Sequence, residues 1–384
     1  MKIREISWTG EFSCLCGDCP QTCCRGWVIP LEERDCARLK KTKGKLGLSL
    51  FFATAGWTRA KFNTDSGRCP FHDADGLCRI QKEKGHEYIP WTCQSYPRFY
   101  RNYGYFEETC VDISCIGAAR LFLAHLGELD IIESEGDPKT RVCTTNEDRP
   151  YIEFLLTQRK EIMDMTATVF GEAPIEDISV PERCGRFVDE LFAFAAKLQA
   201  VSSKGNEEML KGLDLLKEIE KDGPGKYSGT PYGFPLPAGV FGELLSSSLC
   251  HIRLKTVDPK LYEMISRAKE YMSRQNADAL MKAASDMHLI KILGAYLSYY
   301  IYQYFLRTYE TYSFRRQMAL GIIHMNMIFL FAAETAGRET LTDETVAGII
   351  SHYNRRAYFN EFILDDMYRI YENNLPKARP EKGG

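Results

Sequence analysis

Phe12-Ser13-Cys14-Leu15-Cys16-Gly17-Asp18-Cys19-Pro20-Gln21-Thr22-Cys23-Cys24-Arg25-Gly26-Trp27 places five thiols in one short polar run. A thiol packs well alone as a small apolar group, but five in a loop with glycine and proline have no apolar face to fill. Close-set thiols serve disulfides or soft metals. The chain opens Met-Lys-Ile-Arg-Glu-Ile-Ser-Trp, without the apolar run of a secretory signal. The expected compartment is therefore the reducing cytoplasm, where structural disulfides are rare. A bridge between the neighbours Cys23 and Cys24 would also be strained. These arguments favour a bound metal or cluster.

The rest of the composition bounds the answer. At 384 residues the chain can hold a sizeable core and two domains. Hydrophobic residues at 45% and charged residues at 26% are ordinary for a soluble globular protein. A net charge of −3 gives no electrostatic footprint for nucleic acid or an anionic membrane. The most apolar stretch, Ile322 to Ala333, is interrupted by His324 and Asn326 and reads as too short to cross a bilayer. Of 14 cysteines, 11 fall at or before Cys115, so a cysteine-rich front precedes a cysteine-poor back.

In the front, Leu31 to Lys43 reads as a charged helix carrying a half-buried Cys36, and Leu46 to Trp57 is ambiguous between helix and loop. Asp73, Asp75 and Gly76 form a turn that brings Cys69 and Cys78 together. Cys78 to Gly85 reads as two helical turns stopped by glycine. Pro90 to Pro97, with Cys93 inside, reads as a rigid connector. Tyr103 to Val111 alternates as a strand, and Ser114 is the expected N-cap of a helix opening at Cys115, whose thiol pKa the helix start should lower.

Cys14, Cys19, Cys23, Cys24, Cys69, Cys78, Cys93 and Cys115 are the expected ligands, enough for two four-coordinate centres. Zinc usually shows as two tight CxxC knuckles; one dense group plus dispersed singles suits an iron–sulfur cluster, with zinc as the alternative. Arg98, aimed by Pro97 after Cys93, can offset a thiolate-rich centre or grip a carboxylate at two points. It is the candidate cofactor-binding residue, with a solvated arginine as the plain alternative. His72, inside the Cys69–Cys78 turn, is a candidate for supporting the ligands; the other histidines read as surface or capped residues.

These residues carry a resemblance. Phe12-x-Cys14-x4-Cys19-x2-Thr22-Cys23-Cys24-x-Gly26-Trp27, Cys69-Pro-Phe, Gly76-Leu-Cys78-Arg, Pro90-x-Thr-Cys93-x-x-Tyr96-Pro97-Arg98 and Ser114-Cys115 resemble the flagellin lysine-N-methylase family. More loosely, they are similar to zinc- or iron-chelating CxxCxxCC proteins. Ser351-His-Tyr-Asn-Arg-Arg356 resembles that family's C-terminal helix. Cys16 stands where the family pattern leads one to expect glycine, and His72 where it leads one to expect an aliphatic residue. The resemblance implies S-adenosylmethionine-dependent methylation of protein lysines such as flagellin's, with a 4Fe-4S cluster on the cysteines.

The back reads as helical. Asp137 to Pro150, with Cys143, is a polar boundary. Helices are expected over 148–170, 182–203, 207–221, from Asp258-Pro259, over 287–309, from Thr342 and over 358–373. Tyr296, Tyr299, Tyr300, Tyr302, Tyr304 and Tyr309 surround the 287–309 helix and read as core. Gly223 to Pro237, with four prolines and four glycines, reads as a long loop and a possible lid. No GxGxxG after a strand, CxxxCxxC triplet or HExxH occurs.

The expectation is thus a mainly α protein, with residues 1–136 a small cysteine-rich metal- or cluster-binding domain and 137–384 all helical. The leading function is a cytoplasmic protein-lysine N-methyltransferase; the competing one is a non-enzymatic chelating or electron-transfer module with a helical partner-binding domain. No catalytic base is legible.

Overall fold

Lys2–Ile6, Arg98–Asn102, Phe106–Val111 and Ile131–Glu135 form one sheet, where the sequence suggested a single strand. With Ile29–Pro30 and Lys61–Phe62 as β2 and β3, the four are β1, β4, β5 and β6, in the order β4-β5-β1-β6. β1 runs parallel to β5, with Lys2 opposite Phe106 and Arg4 opposite Glu108. β4 and β6 are antiparallel to their neighbours. The computed structural model describes residues 1–25, 28–62, 67–142, 148–171, 178–202, 234–250, 254–274 and 277–375. The expected 207–221 helix, Cys143 and residues 223–233 of the expected lid lie outside the described residues, as does the side chain of Cys250.

Among the described residues, the elements after the sheet are helices. Arg149–Gly171 and Val180–Ser202 lead into the helices Pro259–Ser273, Met287–Tyr304, Phe314–Ala336, Asp343–Ala357 and Glu361–Asn373, with shorter pieces between. Their starts follow the capping signals. Asp258 accepts from the Leu261 N–H with Pro259 in the first turn, and Thr342 and Asn360 accept from Thr345 and Ile363. The Phe314–Ala336 helix is longer than its apolar sequence run and matches a membrane span in length and composition. Its apolar window is nevertheless fully buried by neighbouring helices, as in the core of a helical bundle.

Two apolar cores result. The larger runs from Ile6, Trp8 and Phe12 through the sheet into all the long helices. The tyrosines of Met287–Tyr304 are packing residues whose hydroxyls find partners: Tyr299 and Tyr302 donate to the sheet carbonyls of Val111 and Thr109, Tyr296 to Asn354 and Tyr300 to Gln317. The smaller core holds Ile29, Leu31, Leu39, Leu50, Phe62 and Phe71 among others, with Cys69 inside it and Cys24, Cys78 and Cys93 against it.

Three local expectations change. Of residues 46–57 only those up to Ala53 are helical, in a helix that begins at Gly44. The Pro90–Pro97 connector contains a helical turn, Trp91–Ser95, because Pro90 sets the extended backbone of its N-cap. The helix at 116 is capped by Cys115, not Ser114, since Ser114 instead hydrogen-bonds Tyr96 through its hydroxyl.

His324, fully buried on the core helix, shares a hydrogen bond with Tyr353 through Nδ1, while Nε2 has no partner among the described residues. Burial, with Arg316 nearby, pulls its pKa down to about 3. Between that value and the unfolded imidazole's, near 6.5, the unfolded chain holds one more proton. Stability should therefore fall as pH drops through this window, by about 1.4 kcal/mol per unit from this group. Urea titrations at pH 7, 5.5 and 4.5 should show His324→Leu losing that part of the acid slope; an unaltered slope would contradict the assignment.

Candidate metal centre

The dense loop is fastened at both ends. At its start, Arg98 opens β4, donates to the Phe12 carbonyl at 2.9 Å and stacks its guanidinium over the Phe12 ring. Cys16 has a left-handed backbone, φ +48°, which explains the glycine expected there. At the far end, Arg355 of the Asp343–Ala357 helix donates to the carbonyls of Gln21 and Thr22, both at 2.9 Å. Ser351 on the same helix donates to the Gln21 side chain at 2.6 Å. The residues just before Cys23-Cys24 are thus held by the helix that carries Ser351 and Arg355.

The second and third cysteine groups close around this point. The Cys69 N–H donates to the Cys24 carbonyl at 2.8 Å. His72 pairs with Cys78 across the turn, whose Gly76 sits at φ +80°, so Cys69 and Cys78 come together as the sequence suggested. Arg68 wraps the turn, donating to His72 Nδ1 and to the carbonyls of His72 and Asp73. His72 therefore orients Arg68. Cys93 rides on the Trp91–Ser95 turn, whose first N–H donates to both oxygens of the buried Asp35.

The electrostatics sort the thiols into two sets. Charge on Cys24 raises Cys69, Cys78 and Cys93, and Cys93 also feels Cys69 and Cys78. Burial pushes Cys69 up to about 12 and also raises Cys78 and Cys93. Cys23 is raised because its thiol is hydrogen-bonded to Cys24. That same bond lowers Cys24 to about 7, helped by Thr22, Arg68 and Arg355. The other set is Cys14, Cys16, Cys19 and Cys115: Cys16 is raised by Cys14 and Cys19, and Cys19 adds to the rise of Cys115. Cys115 departs from expectation, since burial outweighs the Gly117 and Ala118 N–H groups at the helix start and its pKa goes up. Cys36 is half-buried beside the smaller core, and all described cysteines are free thiols.

Four soft donors, Cys24, Cys69, Cys78 and Cys93, with Cys23 beside them, thus border one small core near two guanidinium groups. That donor chemistry fits a thiophilic metal or cluster, which would deprotonate the buried thiols on binding. They are gathered but not closed: among the described residues no three cysteine, histidine or acidic groups already converge on one ion position. The sequence missed Arg68, Asp35 and Arg355 as supports, although the Ser351–Arg356 segment was one visible signal.

Arg355→Ala removes both donors to the loop and the charge near Cys24. It should weaken metal binding by about 10- to 100-fold, as loss of an outer partner does, with Arg355→Lys intermediate. Competition with a chelator measures this, and wild-type affinity in Arg355→Ala would contradict the role.

Residues 15–111, about a quarter of the chain, match the family model CxxCxxCC, described as "Putative zinc- or iron-chelating domain". The chain is 27% identical over 121 residues to the flagellar biosynthetic protein FliU of Salmonella muenchen, covering 29% of this chain and 72% of that protein. It is equally similar, at 27% over 121 residues, to proteins named lysine-N-methylase from Salmonella typhimurium and Salmonella choleraesuis, of each of which the match spans 30%. No solved structure matches. The front of this chain is thus similar to CxxCxxCC proteins over residues 15–111, and over 29% of its length the chain is similar to proteins named lysine-N-methylase.

Proposed function

We propose that this protein transfers a methyl group from S-adenosylmethionine to lysine side chains of a flagellin-type protein, and that its buried cysteines hold a 4Fe-4S cluster. The observation that supports this most is the gathering of Cys24, Cys69, Cys78 and Cys93 from three separate stretches, inside the residues that match the zinc- or iron-chelating family model. The ligand set proposed for the cluster is these four. Cys14, Cys16, Cys19 and Cys115 form the second set, and Cys23 tunes Cys24. Held by four thiolates, a cluster here would have every iron ligated and would supply closure of the smaller core.

The protein's own residues do the rest. Arg68 and Arg355 offset the thiolate charge, and Arg98, whose guanidinium is engaged by the Phe12 carbonyl and ring, fixes the loop ahead of Cys14. The acceptor amine must be neutral to attack, so its site has to disfavour or remove the proton. Isolation without oxygen, followed by metal and sulfide analysis and titration with S-adenosylhomocysteine, tests the reading. Iron with acid-labile sulfide and saturable ligand binding is the expected result. Stoichiometric zinc alone overturns the cluster; metal without ligand binding points to the chelating module instead.

A further inference from the structure

A groove follows the Arg149–Gly171 helix where the sheet, this helix and the Met287–Tyr304 helix meet. Its wide end is a wedge of about 760 Å³, between Arg4, Phe106 and Glu133 of the sheet and the first turns of the helix. The sheet is pinned to the bundle at β5, by Glu108 and Arg159, and the wedge opens on the β6 side. Its narrow end is a slot of about 340 Å³. The two share Leu129, Asp130, Met163 and Asp164.

The slot is built for a slender chain with a polar tip. Met163, Phe170 and Ala295 line it and are buried. Gly294 lets the two helices touch, since a Cβ there would lie 2.3 Å from that of Phe170. Arg159 donates to the Tyr302 carbonyl while Phe170 meets Gly294, so the helices run antiparallel and Ser298 stands near Met163, at the wedge end. Ser298 is 1% exposed, lines the slot, and its hydroxyl makes no hydrogen bond within the described structure. A helical serine ordinarily bonds back to a carbonyl one turn earlier, and an unpartnered buried hydroxyl is costly. The partner it lacks is therefore expected in the slot.

Charge is graded along the same line. Exposed Lys291 stands at the outer end, seven residues and so about 10 Å before Ser298. Where the slot joins the wedge are the exposed carboxylates of Asp130 and Asp164, the second paired with Lys160. An ammonium on an aliphatic stem is repelled by Lys291 and drawn toward Asp130.

Resting on the methyltransferase reading above, we propose that this slot takes the acceptor lysine, with its stem along Met163 and Phe170 and its nitrogen at Ser298, and that the sulfonium methyl donor occupies the adjoining wedge. The ammonium loses one proton to solvent past the Asp130 carboxylate. The amine lone pair then forms a bond to the methyl carbon as the carbon–sulfur bond breaks. That bond's electron pair stays on sulfur, giving a neutral thioether and an N-methylated ammonium.

Ala167→Phe, on the exposed wall, fills the slot, and Ser298→Ala removes only the hydroxyl. A short acetylated lysine peptide is titrated into the metal-loaded full chain holding S-adenosylhomocysteine. Ala167→Phe should weaken peptide binding by at least about 10-fold, and Ser298→Ala should raise the peptide's KM by about 3- to 10-fold, the worth of one hydrogen bond. Metal content and S-adenosylhomocysteine binding of Ser298→Ala should match the wild type, and its thermal stability should equal or exceed the wild type's. Wild-type peptide binding and KM in both variants overturn the slot and leave the methylase reading intact. A wild-type chain that binds neither S-adenosylhomocysteine nor the peptide overturns both.

Discussion

Alanine at Cys24 should strip metal from the protein and loosen residues 28–95, while alanine at Cys184 should do neither. Charge on Cys24 adds to the burial that raises Cys69, Cys78 and Cys93, and its carbonyl ties the dense loop to the stretch carrying Cys69. The core beside it is small, with Ile29, Leu50, Phe62 and Phe71 among its few buried side chains. Cores of that size depend on a staple. Metal binding at such a site is folding energy, so losing a ligand should exceed the ~10–100-fold affinity loss of an outer partner. Cys184 is buried in the helical part, away from both thiol sets. Metal analysis together with hydrogen exchange over residues 28–95 makes the comparison. Full metal in Cys24→Ala, or equal loss in Cys184→Ala, would contradict the grouping.

Glu108→Ala should be the most destabilising single change outside the cysteines. Arg159, 1% exposed, meets both carboxylate oxygens of Glu108 at 2.7 and 2.5 Å, and lies over the Tyr302 ring. Burial opposes its charge, yet Glu108 outweighs burial and raises the pKa. Without Glu108 a guanidinium is left buried and unpaired, which costs about 3–5 kcal/mol. The pair joins the sheet to the first long helix, so the loss should appear as global unfolding at lower urea. Replacing both residues, as Glu108→Leu with Arg159→Met, should cost less than the sum of the single changes. Additive costs would show that the pairing contributes little.

The helices were legible because their signals are local. Asp258-Pro259 and Thr342 act as caps within four residues, and the Asp73–Gly76 turn closes on itself. The sheet was not. β1 and β6 are five residues each, carry charges on their exposed side, and β1 pairs with a strand a hundred residues away. Nothing local encodes that register. Cysteine density pointed to metal chemistry, but the sorting of Cys24, Cys69, Cys78 and Cys93 from Cys14, Cys19 and Cys115 depends on how loops dock. Arg355 shows the same limit, since it supports Thr22 from more than three hundred residues away. The Cys115 pKa was misread because a helix start is local, whereas burial is a property of the whole fold.

The central claim joins the cysteine nest to methyl transfer, and one measurement reaches it directly. The intact chain, isolated without oxygen, is incubated with methyl-labelled S-adenosylmethionine and flagellin, before and after chelator removes its metal. Label in flagellin lysines, lost with the metal and restored on reconstitution, is the predicted result. Equal labelling with and without metal, or none by the fully loaded protein, would contradict it.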